Sequence, residues 1–163
     1  MKLNKPFKIK LKKFKDKRGF LSEIISQKKL KLNFKHSIIS VSKKNVIRGL
    51  HFRTKPEYKI MYLVKGEIND HCVNLMNKKK YKFNLKENEC LLIPPGYAHG
   101  YECIKKHNIL IYFLSWPYNP KLQSGIIYND KQLKIKWSIK KPIISKRDQN
   151  LKNFNLIKSK KYY

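Results

Sequence analysis

The chain has 163 residues, of which 41% are hydrophobic and 12% aromatic, a composition that fits one globular domain and excludes an intrinsically disordered protein. Its formal net charge is +29, from 39 Lys and Arg residues against 10 Asp and Glu, which favours an anionic partner such as nucleic acid, a membrane surface or a phosphorylated small molecule. Because nearly all of this charge is Lys spread along the whole sequence, it indicates a solvated surface more than a dedicated polyanion-binding arm.

The first third of the chain contains short runs of alternating apolar and polar residues. Residues 7–14 alternate apolar side chains with Lys at a period of two, which predicts a half-exposed strand. A turn is predicted at residues 16–19, and β-type residues resume over 20–26. Two further strands are predicted over 37–42 and 46–51.

The remaining chain continues the same pattern up to about residue 118, and then it loosens. No segment longer than about ten residues has the periodicity and caps of a helix. Short, regularly spaced strands are typical of a sandwich or barrel, so we predict a single all-β domain over 1–163. We expect a barrel core at about 34–118 and a short helical or irregular C-terminal segment. The further predicted strands are 59–64, 68–75, 81–85, 89–93, 101–104 and 108–115.

The spacing of the cysteines and the length of the apolar runs indicate where in the cell the protein is expected. Cys72, Cys90 and Cys103 occur singly, with no Cys-x-x-Cys pair, which favours reduced thiols. The first residues contain no apolar run of the kind found in a signal peptide. No run elsewhere approaches the ~18–20 apolar residues of a bilayer-spanning helix. We therefore expect a soluble, cytoplasmic protein that does not act at a membrane.

Two histidines each end a motif that follows β-type residues. His51 ends Arg-Gly-Leu-His (48–51), and His99 ends Pro-Pro-Gly-Tyr-Ala-His (94–99). If the strands form one barrel, we expect the two imidazoles to face each other across its mouth. The Pro-x-Gly-x-x-His pattern resembles the second motif of the cupin superfamily, which is a double-sheet jelly roll. Arg53 stands where the second histidine of a cupin metal site would lie, so a metal is not expected.

Further motifs, in the same order along most of the chain, resemble the nucleotide-sugar epimerase family typified by dTDP-4-dehydrorhamnose 3,5-epimerase. The most specific are Arg-Gly-Leu-His (48–51) and Pro-x-Gly-x-x-His-Gly (94–100), with Tyr112 placed thirteen residues after the second histidine. The resemblance implies one cupin-type epimerase domain, a cofactor-free reaction and a homodimer. Weaker matches are Asp-x-Arg-Gly-Phe (16–20), Gly-Ile-Ile-Tyr-Asn-Asp (125–130) and Ser-x-x-Asp (145–148).

The family resemblance implies a nucleoside-diphosphate 4-keto-6-deoxy sugar as the substrate. Its C4 ketone acidifies the protons on C3 and C5. Inverting either carbon therefore needs a base, an acid on the opposite face, and a cation or donor at the enolate oxygen. By resemblance His51 is the base and Asp148 fixes its tautomer. By the same resemblance Lys59 faces the developing oxyanion and Tyr112 is the acid.

The resemblance also implies contacts to the sugar and the nucleotide. Arg48 would hold sugar oxygens or the diphosphate, because its planar guanidinium forms paired charge-assisted bonds with such groups. His99 would line the sugar pocket, and Arg53 stands beside it in place of the Gln that the family usually has. The implied nucleotide contacts, in this family often made across a dimer interface, are Arg18, Phe20 and Glu23.

The leading hypothesis is an epimerase that supplies deoxysugars for surface polysaccharide, and other interpretations remain open. The nearest alternatives keep the same substrate class: an epimerase that inverts a single centre, or a 3,4-ketoisomerase. The ketoisomerase ranks lower, because Arg53 replaces the second His of Arg-Gly-x-His-x-His. A basic β-barrel that binds nucleic acid fits the charge but lacks the interleaved aromatic and basic motifs of such modules. An inactive scaffold is disfavoured by the joint presence of His51, Lys59, Tyr112 and Asp148.

Overall fold

The structure is a computed structural model that describes residues 3–157, and it consists mainly of short strands. The described part has two α-helices of four residues each, α1 (Gln27–Leu30) and α2 (Lys146–Gln149), and neither is long enough to cross a membrane. Turns of 3-10 helix lie at Pro120–Leu122 and Phe154–Leu156. The strands are β1 (Phe7–Ile9), β2 (Lys13–Asp16), β3 (Gly19–Ser22), β4 (His36–Lys43), β5 (Ile47–Arg53), β6 (Lys59–Lys65), β7 (Glu67–Asn74), β8 (Lys80–Lys86), β9 (Glu89–Ile93), β10 (Tyr97–Cys103), β11 (His107–Leu114) and β12 (Gln123–Gly125).

Two five-stranded sheets form the body of the protein. The first sheet has the order β1-β9-β6-β11-β4, and the second has the order β12-β5-β10-β7-β8. Neighbouring strands are antiparallel throughout, and their inner faces share one apolar cluster that includes Met61, Leu91, Ile68 and Leu85. Two antiparallel sheets packed in this way form a jelly roll. The predicted all-β, cupin-type fold is confirmed.

The chain ends cover the outer faces of the two sheets. On the first sheet, Ile60 and Leu92 are buried beneath apolar residues of the N-terminal part, such as Phe7. On the second sheet, Leu50 packs with Phe154 from the C-terminal segment. Because both faces of these strands are covered, β10 is buried along its whole length and β6 is buried over its central residues.

Some strand boundaries differ from the sequence-based expectations. Residues 7–14 form two strands, because β1 pairs with β9 whereas β2 pairs only with β3 in a separate hairpin. The strand expected over 20–26 ends at Ser22, and β10 begins at Tyr97, four residues earlier than expected. The irregular C-terminal segment is confirmed for residues up to 157, and residues 158–163 lie outside the described part. The single domain over 1–163 stays a prediction.

Candidate active site

The two motif histidines lie side by side on neighbouring strands. The antiparallel register of β5 and β10 pairs His51 with His99, so both side chains lie on the same face of the second sheet. This differs from the expectation that they face each other across the barrel mouth. Gly49, with φ +116°, allows the close approach of the strands here, because a Cβ at this position would lie 2.6 Å from Gly100 Cα.

A cavity of about 340 Å³ opens beside these histidines, between the two sheets. His51, His99 and Tyr101 reach it from the second sheet, while Tyr112 reaches it from β11 of the first sheet. The base and acid expected from the sequence therefore border the same space from opposite walls. Polar side chains at its margin are Ser40, Arg48, Gln123 and Arg147.

His51 forms a pair with Asp148 that leaves one ring nitrogen without a partner among residues 3–157. Its Nε2 lies 2.8 Å from Asp148 Oδ1, and the second carboxylate oxygen accepts a hydrogen bond from Gly49 N at 3.1 Å. The Ser145 hydroxyl caps α2 by accepting from Asp148 N at 3.1 Å. Burial by itself raises the pKa of Asp148, but the hydrogen bonds from His51 and Gly49 outweigh it, and the pKa falls below its usual value.

His99 forms a similar pair with Asp70, but both of its ring nitrogens are occupied. Nδ1 lies 2.9 Å from Asp70 Oδ2, and Nε2 lies 2.9 Å from Lys59 Nζ. Since an ammonium only donates, Nε2 accepts and the ring proton is on Nδ1. Burial and the neighbouring Lys59 charge lower the pKa of His99 to about 4, so the ring is neutral at pH 7. Cys72 Sγ donates to Asp70 Oδ1 at 3.1 Å.

Lys59 lies behind His99 and does not itself border the cavity. It lines a separate cavity of about 20 Å³ together with Arg53 and Glu57. Burial lowers the pKa of Lys59, and the charges of Glu57 and Asp70 oppose that shift. Lys59 thus approaches the larger cavity through its contact with His99, a less direct arrangement than the sequence implied.

Tyr112 is 7% exposed, and its pKa is raised well above the usual value by burial and by the neighbouring Tyr101. Its phenol is therefore protonated at neutral pH. Arg48, at the margin of the cavity, is positioned by hydrogen bonds from Nε to Ser42 Oγ at 2.9 Å and from Nη2 to the carbonyl of Val41 at 3.3 Å. The cavity thus combines a free imidazole nitrogen, a protonated phenol and a guanidinium.

Comparisons with known proteins point to the same chemistry. The family profile described as dTDP-4-dehydrorhamnose 3,5-epimerase matches residues 1–155. The chain belongs to the dTDP-4-dehydrorhamnose 3,5-epimerase family. The enzyme of this name from Methanothermobacter thermautotrophicus is 32% identical over 155 residues, which cover 85% of this chain and 84% of that protein. The resemblance inferred from the sequence is confirmed, and the isomerase class expected from it is confirmed with it.

Solved structures of family members superpose closely on this chain. The Bacillus anthracis enzyme, solved with TDP and PPi bound, is 30% identical, has a TM-score of 0.87 and covers 94% of this chain and 96% of its own. The Legionella pneumophila enzyme, solved in complex with dTDP-4-keto-L-rhamnose, is 25% identical, has a TM-score of 0.89 and covers 99% of this chain and 94% of its own. Within residues 3–157, no group of three or more His, Cys, Asp or Glu side chains could hold a metal ion.

Four residues expected at the family's substrate site lie outside the cavity. Arg53 Nε lies 3.0 Å from Glu57 Oε1, an ion pair without hydrogen-bond geometry, and its other nitrogens donate to the Pro117 carbonyl at 3.1 Å. Arg53 therefore braces the wall and does not reach the sugar pocket, contrary to expectation. The other three residues do not line the cavity of this chain. They lie on or next to the β2–β3 hairpin and are Arg18, Phe20 and Glu23.

Sequence reasoning missed several side chains that complete the site. Asp70 is fully buried, and its position between Ile68 and Cys72 on one face of the predicted strand 68–75 is a signal that could have found it. Tyr101 follows His99 by two residues on the same strand face, but a tyrosine in a strand is usually a core residue. No sequence pattern identifies Ser40, because serine is common at the exposed positions of a strand.

Proposed function

We propose that this protein epimerises a dTDP-linked 4-keto-6-deoxy sugar at C3 and C5 through an enolate. The observation that carries the proposal is that His51 and Tyr112 border one cavity from opposite sheets. Inversion requires a base and an acid on opposite faces of the sugar ring, which is the arrangement that these two residues provide. Ligands in the related structures, TDP with PPi and dTDP-4-keto-L-rhamnose, support a dTDP-linked substrate.

The first step is removal of a proton by His51. The Asp148 carboxylate accepts a hydrogen bond from Nε2–H of His51. The proton of the neutral ring is therefore on Nε2, and Nδ1 presents its lone pair. When Nδ1 takes a proton from the sugar, Asp148 stabilises the imidazolium that forms. The Gly49 amide and the Ser145 cap hold Asp148 in place, which keeps the ring orientation fixed.

The second requirement is positive charge near the enolate oxygen. Lys59 supplies it from outside the cavity: its ammonium donates one N–H to His99 Nε2, and its charge acts on the cavity across that ring. The neutral His99 ring, held by Asp70, fixes the position of that ammonium. Removing a preorganised donor of this kind typically costs about 10²–10³ in rate.

The last step is delivery of a proton to the opposite face of the carbon by Tyr112. Burial raises the pKa of its phenol, so the acid is protonated before each turnover. Arg48 and Arg147 flank the cavity and provide cations for the diphosphate. The net charge of +29 favours approach of such an anionic substrate.

The β2–β3 hairpin supports a homodimer in which each chain completes the nucleotide site of the other. Phe20 is 46% exposed and Leu21 75%, although both are apolar. Strand β4, at the edge of the first sheet and beside the cavity, exposes Ile39 at 65% and Val41 at 62%. Exposed apolar groups on an edge strand favour association. In the dimer, Arg18, Phe20 and Glu23 of one chain would approach this margin of its partner.

The cysteines support a cytoplasmic location for the enzyme. All three are buried and free, so the described fold uses no disulfide bond. Burial raises the pKa of Cys90 to about 12 and that of Cys103 to about 11, which suppresses thiolate reactivity. A fold that keeps three unpaired thiols is suited to a reducing compartment.

The test of the proposed function is solvent exchange followed by NMR. A dTDP-linked 4-keto-6-deoxy sugar is incubated with the protein in deuterium oxide, and deuterium at C3 and C5 is followed together with the configuration of each carbon. We expect deuterium and inversion at both positions. Inversion at one position only would indicate a single-centre epimerase, and migration of the ketone a ketoisomerase. No exchange with either dTDP- or GDP-linked sugars, by a folded protein, would exclude the proposal.

A further inference from the structure

A second tyrosine lies beside the proposed acid and has no role in the steps above. Tyr101, on β10, is 1% exposed and borders the same cavity as Tyr112. Its hydroxyl lies 3.1 Å from Ser40 Oγ, and its phenol is near enough to that of Tyr112 for each to shift the pKa of the other. Ser40 is half-buried on the edge strand β4 and also borders the cavity. Three hydroxyl groups therefore lead from the edge of the first sheet to the proposed acid.

The surroundings of the two phenols favour Tyr101 over Tyr112 as the site of a negative charge. Burial raises the pKa of both phenols. At Tyr101, hydrogen bonds with Ser40 and Tyr112 and the charge of Arg48 oppose that rise. At Tyr112, the contact with Tyr101 and the charge of Asp70 add to the rise, and the charge of Arg48 opposes it there too. A transient phenolate is therefore better accommodated on Tyr101 than on Tyr112.

Arg48 lies beside this hydroxyl chain, and its charge favours the ionised form of both phenols. The antiparallel register pairs Arg48 with Tyr101 across β5 and β10. Its guanidinium is held by Ser42, which lies two residues from Ser40 on the same face of β4. The cation thus lies next to the hydroxyl chain without needing to move during turnover.

We propose that Tyr101 and Ser40 form a proton relay that reloads Tyr112 after each proton delivery, with Tyr101 also positioning the Tyr112 hydroxyl. When Tyr112 gives its proton to the substrate carbon, its phenolate takes the hydroxyl proton of Tyr101. Tyr101 then takes the proton of Ser40, which takes one from bulk water. One O–H bond breaks for each that forms, and the proton that His51 releases to solvent neutralises the resulting hydroxide. The relay rests on the proposed function.

A purely structural Tyr101 and a relay Tyr101 differ in a measurable ratio. In deuterium oxide His51 can return a deuteron to the face from which it took the proton, which labels the substrate without inverting it. That exchange does not need Tyr112. Loss of the relay therefore slows inversion and spares exchange, whereas general damage to the cavity slows both together.

The experiment compares exchange and inversion in Tyr101→Phe, with the dTDP-linked 4-keto-6-deoxy sugar as the probe. A positioned acid contributes about 10²–10⁴-fold, and we expect removal of its relay to slow inversion about tenfold while exchange changes by less than about twofold. Tyr62→Phe is the matched control, because it removes a phenol hydroxyl bonded to Asn88 outside the cavity. Equal inversion in Tyr101→Phe and the wild type, or an equal fall in exchange and inversion, would overturn the relay.

Ser40→Ala keeps the proposal testable if Tyr101→Phe does not fold. This variant shortens the relay at its solvent end, and we expect inversion to slow about threefold with exchange unchanged. An unchanged ratio of exchange to inversion in this variant would overturn the relay. A wild-type protein that neither exchanges nor inverts would instead contradict the proposed function, so the two failures are distinguishable.

Discussion

Two histidines at the cavity are each paired with an aspartate, and the pairs differ in the exposure of the ring and in the surroundings of its second nitrogen. His51–Asp148 and His99–Asp70 have nearly equal separations of 2.8 and 2.9 Å, and the two rings are opposite each other on paired strands. The His51 side chain is 34% exposed and the His99 side chain 5%. The second nitrogen of His51 has no partner among residues 3–157, whereas that of His99 accepts a hydrogen bond from Lys59.

This difference shows that a carboxylate partner alone does not make a histidine a base. Asp148 and Asp70 both select a tautomer, but only His51 has a lone pair directed at free space. The lone pair of His99 Nε2 accepts a hydrogen bond from the Lys59 ammonium, and the neutral ring holds that cation in position. The surroundings of the second nitrogen therefore separate the proposed base from the proposed positioning residue.

The largest effect is expected from His51→Asn, which removes the free lone pair. We expect both exchange and inversion to fall about 10⁴-fold, at the upper end of what a general base contributes. Solvent deuterium incorporation measured by NMR gives both rates. His107→Asn, at an exposed position at the start of β11, is the control and should retain wild-type rates. Full exchange by a folded His51→Asn protein would show that another group is the base.

The next effect is expected from Lys59→Gln, which removes the cation while leaving an amide that can still donate to His99. We expect kcat to fall about 10³-fold, the upper value for loss of one preorganised donor. Lys65→Gln is the control, because it removes an exposed lysine from the same strand. A small loss in Lys59→Gln would mean that Arg48 or another donor stabilises the enolate.

Exchanging the two carboxylates for amides tests the comparison directly. Asp148→Asn should lower kcat about 10²-fold, because it disturbs the tautomer of the base, and should lower stability less than a change at Asp70, because the His51 ring that it holds is 34% exposed. Asp70→Asn should lower stability as well, because Asp70 is fully buried and holds His99 and Cys72. Steady-state kinetics and urea denaturation of both variants provide the two readouts. Equal stability losses would show that the pairs are equivalent in the fold.

The parts of this site that the sequence could predict are those written in local patterns. The β-type residues 108–115 predicted a strand, and the structure buries every second residue of β11, including Tyr112. The two histidine motifs identified the correct strands. Their adjacency was missed because it depends on the pairing of β5 with β10, which are separated by four other strands in the chain.

The parts that the sequence could not predict depend on packing between distant segments. Arg53 follows His51 by two residues, yet Glu57 and the Pro117 carbonyl hold it in the wall. Asp70 acquires its function only because β7 lies beside β10. In the sequence, β2 continues the alternating pattern of β1. Among residues 3–157 the β2–β3 hairpin nevertheless pairs with no other strand, and this depends on how distant segments pack.

The smallest expected effect is a dependence of stability on pH that arises from His99. The folded-state pKa of His99 is lowered to about 4, below the value of about 6.5 for an unfolded histidine. Between these values the unfolded chain binds a proton that the folded chain does not, so stability falls as the pH decreases from about 6.5 to about 4.

Urea denaturation at two pH values measures this contribution. From about pH 7 to about pH 5, His99 should account for a loss of about 2 kcal/mol, which His99→Asn should lack. His71, whose pKa is also lowered by burial, adds a loss in the same direction to both proteins and cancels in the difference. The matched variant is Tyr62→Phe, because it changes a phenol whose pKa is raised and lies far above this pH range. If His99→Asn and the wild type lose equal stability over this range, the neutral, ammonium-bound state of His99 is wrong, and the contrast between the two pairs disappears with it.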